Sequence, residues 1–282
     1  MTLGLPPLTT SLDEAKEHLE EYGLARIERA LDEKALAAAR RRVQQQSEAE
    51  AGTTMGITDG GPNGGPGGPN QWVHNLVNKG EVFRQLVTTE LSNTLMEHLL
   101  GKGFLLSSLN MHEARPGGEP QPLHMDGLMA PFETPYPIVA NVAWLLDEVT
   151  DENGGTRMIP GSHTWSEEEL KVGVRPENTI AAEGPAGSAI VFGGRLWHGT
   201  GTNRNGARRR IVLGYYCRGF IRQQENFALS LAPDVHARCS DELLKRLGFS
   251  VYRTLGGMSA MQPTFGGLVP RPTEFVTELG KD

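Results

Sequence analysis

The sequence predicts an α+β fold in which helices come first and an antiparallel double-sheet jelly roll follows, with those helices packed on the larger sheet. Two observations lead there. Helix-capping signals and helical periodicity run as far as Gly101, and beyond it short apolar runs recur between turn signals. No internal repeat is seen. With 282 residues, 38% of them hydrophobic, the chain is long enough to bury a sizeable core and is expected to form one domain. Its helical part would span about 1–103, its jelly-roll core about 104–232 and a C-terminal extension about 233–282.

Ser11 followed by Glu14 reads as a capping box that opens a helix through about Tyr22, and GLARIERAL then alternates like a short strand. DEKALAAARRRVQQQSEAEA predicts a second helix and EVFRQLVTTELSNTLMEHLLG a third, ending where Gly101 supplies a left-handed C-cap. Between them, residues 52–70 (GTTMGITDGGPNGGPGGPN) hold too many Gly and Pro for regular structure, so a long mobile loop is expected there, either a lid or a plain surface loop. The runs FLLSSLNMHEA, YPIVANVAWLLDEV, TRMIPGS, GSAIVFGG and RRIVLGYYCRGF suggest six to eight strands. SDELLKRLGFSVYRTLGG offers one more short helix before a tail that either closes over the site or packs outside.

A formal net charge of −7 and only short basic runs argue against a general affinity for nucleic acid or anionic membranes. Two cysteines are too few for a disulfide framework, and no long apolar segment or signal peptide is seen, so a soluble cytoplasmic protein is expected. The sequence admits a homodimer without fixing the oligomeric state. No GxSxG elbow or phosphate-binding GxxxxGK[ST] loop is present.

The chemistry concentrates in QPLHMDG and RLWHGTG. His124 and Asp126 lie two residues apart, on the same side of an extended segment that Pro120 and Pro122 favour. With His198 they make two imidazoles and one carboxylate, a set that occupies one face of an octahedral iron(II) and leaves three positions open for a co-substrate and dioxygen. Alone, a His-x-Asp pair is weak evidence; His198, followed eleven residues later by Arg209 across a hairpin-like reversal, strengthens it. On that returning strand Arg209, Ile211, Leu213 and Tyr215 share one face, so only one of Arg208, Arg209 and Arg210 is central. A guanidinium inside a barrel needs a partner, and its planar fork matches the distal carboxylate of a dicarboxylate co-substrate. The other two arginines suit a solvated sheet edge.

Over roughly residues 70–265 the chain resembles the phytanoyl-CoA dioxygenase-like branch of the iron(II)/2-oxoglutarate-dependent oxygenases. The resemblance rests on NLVNKGEVFRQL, LLSSLNMHEARPGGEPQPLHMDG, WLLDEVTDENGGTRMIPGSHTW, WHGTGTNRNGARRRIVLGYY and RQQENFALSL, in that order. It implies a cupin-like double-stranded β-helix with His124, Asp126 and His198 as catalytic iron ligands and Arg209 on the 2-oxoglutarate C5 carboxylate. It also places co-substrate contacts at Gln121, Thr156 and Thr200, although Thr156 equally suits a turn after Asn153-Gly154. His163 falls in a recurrent structural turn and is left out of the metal site.

The implied reaction consumes dioxygen and 2-oxoglutarate, releases succinate and carbon dioxide, and oxidises a substrate C–H bond, with hydroxylation the leading outcome. Desaturation, epoxidation and rearrangement remain open, whereas Asp126 disfavours the related halogenases, which have Gly or Ala there. Asn70, Trp72, Met111, Phe132 and Tyr216 are candidate substrate residues, with His74 and His112 as further pocket residues. Their apolar character suggests a moderately hydrophobic small molecule such as a natural-product scaffold. A CoA ester would need cations that this acidic chain does not cluster. The competing reading is a non-catalytic jelly-roll protein that binds a metabolite.

Overall fold

The computed structural model describes residues 3–127, 134–257 and 266–269. Its strands in chain order are β1 (Leu8–Thr9), β2 (Leu24–Ile27), β3 (Ile57–Asp59), β4 (Asn70–Val73), β5 (Leu105–Ala114), β6 (Val139–Leu145), β7 (Arg157–Met158), β8 (Ile180–Ala181), β9 (Ala189–Gly193), β10 (His198–Gly199) and β11 (Arg209–Cys217). They form an eight-stranded sheet, ordered β1-β2-β9-β6-β11-β5-β4-β3, and a three-stranded sheet, β10-β7-β8. Apart from the parallel β1–β2 pair, every ladder is antiparallel. This is the expected double-stranded β-helix jelly roll, with more strands than the apolar runs suggested because β1, β3, β8 and β10 are only two or three residues long.

The first helices form where their caps dictate. In α1 (Leu12–Tyr22) the Ser11 side chain accepts from the Glu14 N–H, and Gly23 ends the helix at φ 77°. The capping box is only half made, because the Ser11 N–H donates to Thr9 Oγ1 at 2.9 Å and the Glu14 carboxylate is taken by the Thr9 hydroxyl. Asp32 caps α2 (Glu33–Glu50), accepting from the Ala35 N–H at 2.7 Å. The short α3 (Leu76–Lys79) precedes a point where one predicted helix becomes two. α4 (Glu81–Val87) and α5 (Glu90–Leu100) are separated at Thr88-Thr89, because the Thr89 hydroxyl caps the second helix by accepting from the Ser92 N–H.

α2 buries Ala39, Val43, Ser47 and Glu50 along one stripe, and Ser47 is tied to Gln71 of β4 through two hydrogen bonds of 2.6 and 2.9 Å. Together α1, α2, α4 and α5 cover one face of the large sheet. Ala140, Val142 and Trp144 of β6, Val191 of β9, and Val212 and Tyr216 of β11 join the helices in the main core. The intervening residues of the same strands point the other way, toward a cavity between the sheets. β6 is buried along its whole length for this reason and reads as a near-continuous apolar run.

Segment 52–70, expected to be free of regular structure, instead contains β3, a 3₁₀ turn at Pro62–Gly64 and the start of β4, and β3 pairs with β4 as a hairpin. Gly68 serves close backbone packing there: a Cβ on it would lie 2.0 Å from the Gly60 carbonyl carbon. The expected hairpin between His198 and Arg209 is also corrected, since β10 pairs with β7 in the small sheet and β11 with β5 and β6 in the large one. The turn crosses between sheets, so the two residues reach the cavity from opposite walls. Arg208 is exposed, as expected, but Arg210 is buried and held bidentately by Asp147 at 2.8 and 2.9 Å.

After β11, Glu225 buttresses β5. Its N–H donates to the Ser107 carbonyl, and its carboxyl accepts from the Asn75 N–H, both at 2.9 Å. Burial raises this carboxyl from 4.5 to about 7, against the lowering influence of the Asn75 N–H and Lys79. A carboxyl raised on folding contributes stability at low pH and loses it as pH climbs from about 4.5 through about 7. Glu225→Gln is therefore expected to flatten the decline in melting temperature over that window and to stabilise the protein above it; an unchanged pH profile would refute this assignment. The predicted last helix is present as Asp241–Arg246, capped by Ser240. Among the described residues no helix is long and apolar enough to cross a membrane, and Cys217 and Cys239 are free.

Candidate active site

The cavity between the two sheets encloses about 460 Å³. Its centre is built by segment 121–126, which lies antiparallel to 194–200. His124 and His198 exchange both backbone hydrogen bonds at 2.9 Å, the Asp126 N–H donates to the Gly194 carbonyl at 2.8 Å, and the Gln121 N–H to the Thr200 carbonyl at 3.0 Å. This pairing sets the two imidazoles side by side, with ring centroids 4.5 Å apart. Asp126 follows two residues after His124, so its carboxylate reaches the same point.

Ligand atoms from His124, Asp126 and His198 all lie within 4.8 Å of one another. The Nε2 atoms of His124 and His198 stand 3.9 and 3.7 Å from the Asp126 carboxylate oxygens. Each ring's Nδ1 lies 2.9 Å from a backbone carbonyl, Pro122 for His124 and Leu196 for His198. A carbonyl only accepts, so Nδ1 carries a proton and Nε2, on the carboxylate side, is the nitrogen left to give a lone pair to a metal. Burial, opposed by the Asp126 charge, pushes the pKa of His198 down and favours this neutral form. Asn141 on β6 donates to Asp126 Oδ2 at 2.6 Å and fixes the carboxylate's rotation. Two imidazoles with Nε2 inward and one oriented carboxylate are donors that suit a divalent iron.

Arg209 is only 1% exposed and projects into the same cavity. Its Nη1 donates to His112 Nδ1 and its Nη2 to the Thr156 hydroxyl, both at 3.0 Å, while Nε is buried without a partner. Burial lowers this guanidinium to about 10, which still leaves it charged at neutral pH. A buried cation with an unused donor is a receptor for an anion. Gln121 Oε1 accepts from the Thr200 N–H at 3.2 Å and from its hydroxyl at 2.8 Å, and Gln121, Thr156, Thr200 and Arg209 line one cavity with His124, Asp126 and His198.

The apolar part of the wall comprises Ile57, Trp72, Leu145, Ile190, Phe192 and Leu213 among others, with the amides of Asn110 and Gln224 among the polar lining groups. Trp72 is thus where the sequence reading put it, flanked by His74 and His112 at centroid distances of 5.7 and 4.3 Å. Three other candidates are corrected. Met111 and Tyr216 are fully buried in the helix-side core, because the alternation that turns Asn110, His112 and Tyr215 into the cavity turns their neighbours out of it. Asn70 is buried outside the cavity lining and accepts from the Arg115 N–H at 2.9 Å. Phe132 lies outside the described residues. His163 stands apart, its Nε2 donating to the Glu20 carbonyl at 3.0 Å.

Sequence reasoning missed Asp59, Asn141 and Tyr215. Asn141 carried a signal as the one polar side chain in VANVAWL, and Tyr215 shares the Arg209 face; Asp59, in a Gly- and Pro-rich stretch, carried none.

Comparison with known proteins agrees with this geometry. The model of the phytanoyl-CoA dioxygenase (PhyH) family matches residues 19–211. The chain is 30% identical over 273 residues to dioxygenase af480 of Aspergillus fumigatus, covering 92% of this chain and 86% of that protein. Among solved structures, its fold is similar to that of SnoK, a non-heme alpha-ketoglutarate-dependent carbocyclase from nogalamycin biosynthesis, with a TM-score of 0.61 and 20% identity over 76% of this chain and 87% of that one. The corresponding epimerase SnoN gives a TM-score of 0.59 and 19% identity over 73% and 83%. The chain belongs to the phytanoyl-CoA dioxygenase family and is a dioxygenase of the iron(II)/2-oxoglutarate-dependent class.

Proposed function

We propose that this enzyme hydroxylates a C–H bond of a moderately hydrophobic small molecule, such as a natural-product scaffold, and that the whole chain acts as a single domain. His124, Asp126 and His198 hold iron(II) in this reading, and Arg209, Thr156, Thr200 and Gln121 hold 2-oxoglutarate. The observation that carries it is a converging His-Asp-His set in one cavity with a buried arginine whose Nε has no partner. When bound, iron(II) and 2-oxoglutarate supply the oxidising chemistry, with succinate and carbon dioxide as by-products.

The chain's own contribution is positioning. The Pro122 and Leu196 carbonyls hold both imidazoles with Nε2 inward, and Asn141 holds the carboxylate. Arg209 and the Thr156 hydroxyl give a dicarboxylate's far end a fixed, charge-assisted seat. Ile190, Phe192, Ile211 and Leu213 keep the adjoining wall dry. Tyr215, whose phenol is pushed up in pKa by burial and by the Asp126 charge, stays a neutral donor at that wall.

Among the described lining residues Arg209 is the sole arginine or lysine. This favours a substrate without a phosphate-bearing CoA arm. The structurally similar enzymes include a carbocyclase and an epimerase, so one fold supports several outcomes, of which hydroxylation needs no further group. Anaerobic titration of the apoprotein with iron(II) and then 2-oxoglutarate is expected to generate the weak visible charge-transfer band of a chelated keto acid. Iron binding without that band would refute the reading.

A further inference from the structure

Arg209 is held from behind by a relay that ends in the Gly- and Pro-rich hairpin. Because Arg209 Nη1 donates to His112 Nδ1, that nitrogen must carry the lone pair, and the ring proton sits on Nε2. Nε2 faces Asp59 Oδ1 at 3.3 Å. The other oxygen, Oδ2, accepts from Trp72 Nε1 at 2.8 Å and from Gln121 Nε2 at 3.4 Å, and Gln121 then meets Thr200. A single carboxylate thereby fixes two branches, one ending at Arg209 and the other at Thr200.

We propose that Asp59 is a positioning residue for the co-substrate, acting through His112 to hold the Arg209 guanidinium in register with a distal carboxylate. The inference rests on the co-substrate reading above. His112 is only 1% exposed, and burial, opposed by its bond to Asp59, holds its pKa down, so the ring is neutral and can accept from Arg209. Burial works to raise the Asp59 pKa, but interactions led by the His112 hydrogen bond, with further hydrogen bonds from Trp72 and Asn70, keep the carboxyl below its ordinary value. The ionised group therefore offers two acceptor oxygens, and both are used. An asparagine offers one. With its oxygen toward His112 it sets an amide N–H₂ against the Trp72 and Gln121 donors. Turned over, it forces the His112 proton onto Nδ1, against the Arg209 N–H.

The decisive measurement is calorimetric binding, without oxygen, of two keto acids to the iron(II)-loaded protein: 2-oxoglutarate, and 2-oxovalerate, which has a methyl group in place of the distal carboxylate. Asp59→Asn is expected to weaken 2-oxoglutarate about tenfold, the range found for groups that orient a ligand-binding residue, while leaving 2-oxovalerate and iron(II) affinities unchanged. Asp59→Glu, which keeps the charge but displaces it from His112, is expected to do the same and serves if the asparagine variant does not fold. If Asp59→Asn binds 2-oxoglutarate as well as or better than wild type, Asp59 is a mere counter-charge and the proposal fails. Equal weakening of both keto acids would make the residue structural and also overturn it. A wild type that shows no preference for the dicarboxylate would refute the Arg209 seat itself, a result distinct from failure of the relay.

Discussion

Asp126→Ala is expected to abolish 2-oxoglutarate turnover and to weaken iron(II) binding by on the order of a hundredfold or more, since losing even an outer-shell partner costs 10- to 100-fold. The carboxylate is the only anionic member of the set, and its two oxygens face the two Nε2 atoms at 3.7 and 3.9 Å. Alanine leaves two neutral imidazoles, which neither balance the charge of a divalent ion nor close its third position. The fold should survive, because the side chain is only part-buried and the segment is anchored by backbone bonds from Asp126 to Gly194 and between His124 and His198. Iron titration, succinate formation and thermal melting of the same preparation check all three statements. A variant that folds and turns over like wild type would remove Asp126 from the metal site.

The second large effect is at Arg209. Truncating one partner of a buried, hydrogen-bonded charge pair costs about 2–5 kcal/mol, and each 1.4 kcal/mol is tenfold in affinity, so Arg209→Met is expected to raise the 2-oxoglutarate KM by roughly 30- to 4000-fold. Iron binding should be retained, since Arg209 hydrogen-bonds His112 and Thr156 and not the three ligands. Arg209→Lys keeps the charge but loses the planar fork, and is expected to fall between wild type and methionine. Succinate formation against 2-oxoglutarate concentration reads both variants; a KM unmoved by either would sink the assignment of this residue to the co-substrate.

These expectations also show which features were legible in the chain. Caps are local, so Ser11 marks a helix start in the structure and Gly101 a helix end, although Gly101 takes φ 79° and ψ 170° and not the left-handed helical conformation expected, and the cap at Thr89 that divides the third helix was not read. The side-chain period of two is local as well. It separates Arg209 from Arg208 and Arg210, and, followed strictly, it also separates Tyr215 from Tyr216 and Asn110 from Met111. Choosing Met111 and Tyr216 as pocket residues gave residue type priority over phase.

What the sequence by itself determined was the order of helices and strands, the one-sided placement of His124 and Asp126 and the inward-facing Arg209, because each depends on residues close together in the chain or on one strand's alternation. Tertiary structure decided which wall each group occupies. His198 and Arg209 are neighbours in sequence yet belong to different sheets, and Asp59 reaches His112 only because β3 and β4 are added to the edge of β5. Strand order depends on pairing between distant segments, which no local pattern specifies. The buried relay from Asp59 to Arg209 exists only when that order brings its members into hydrogen-bonding distance.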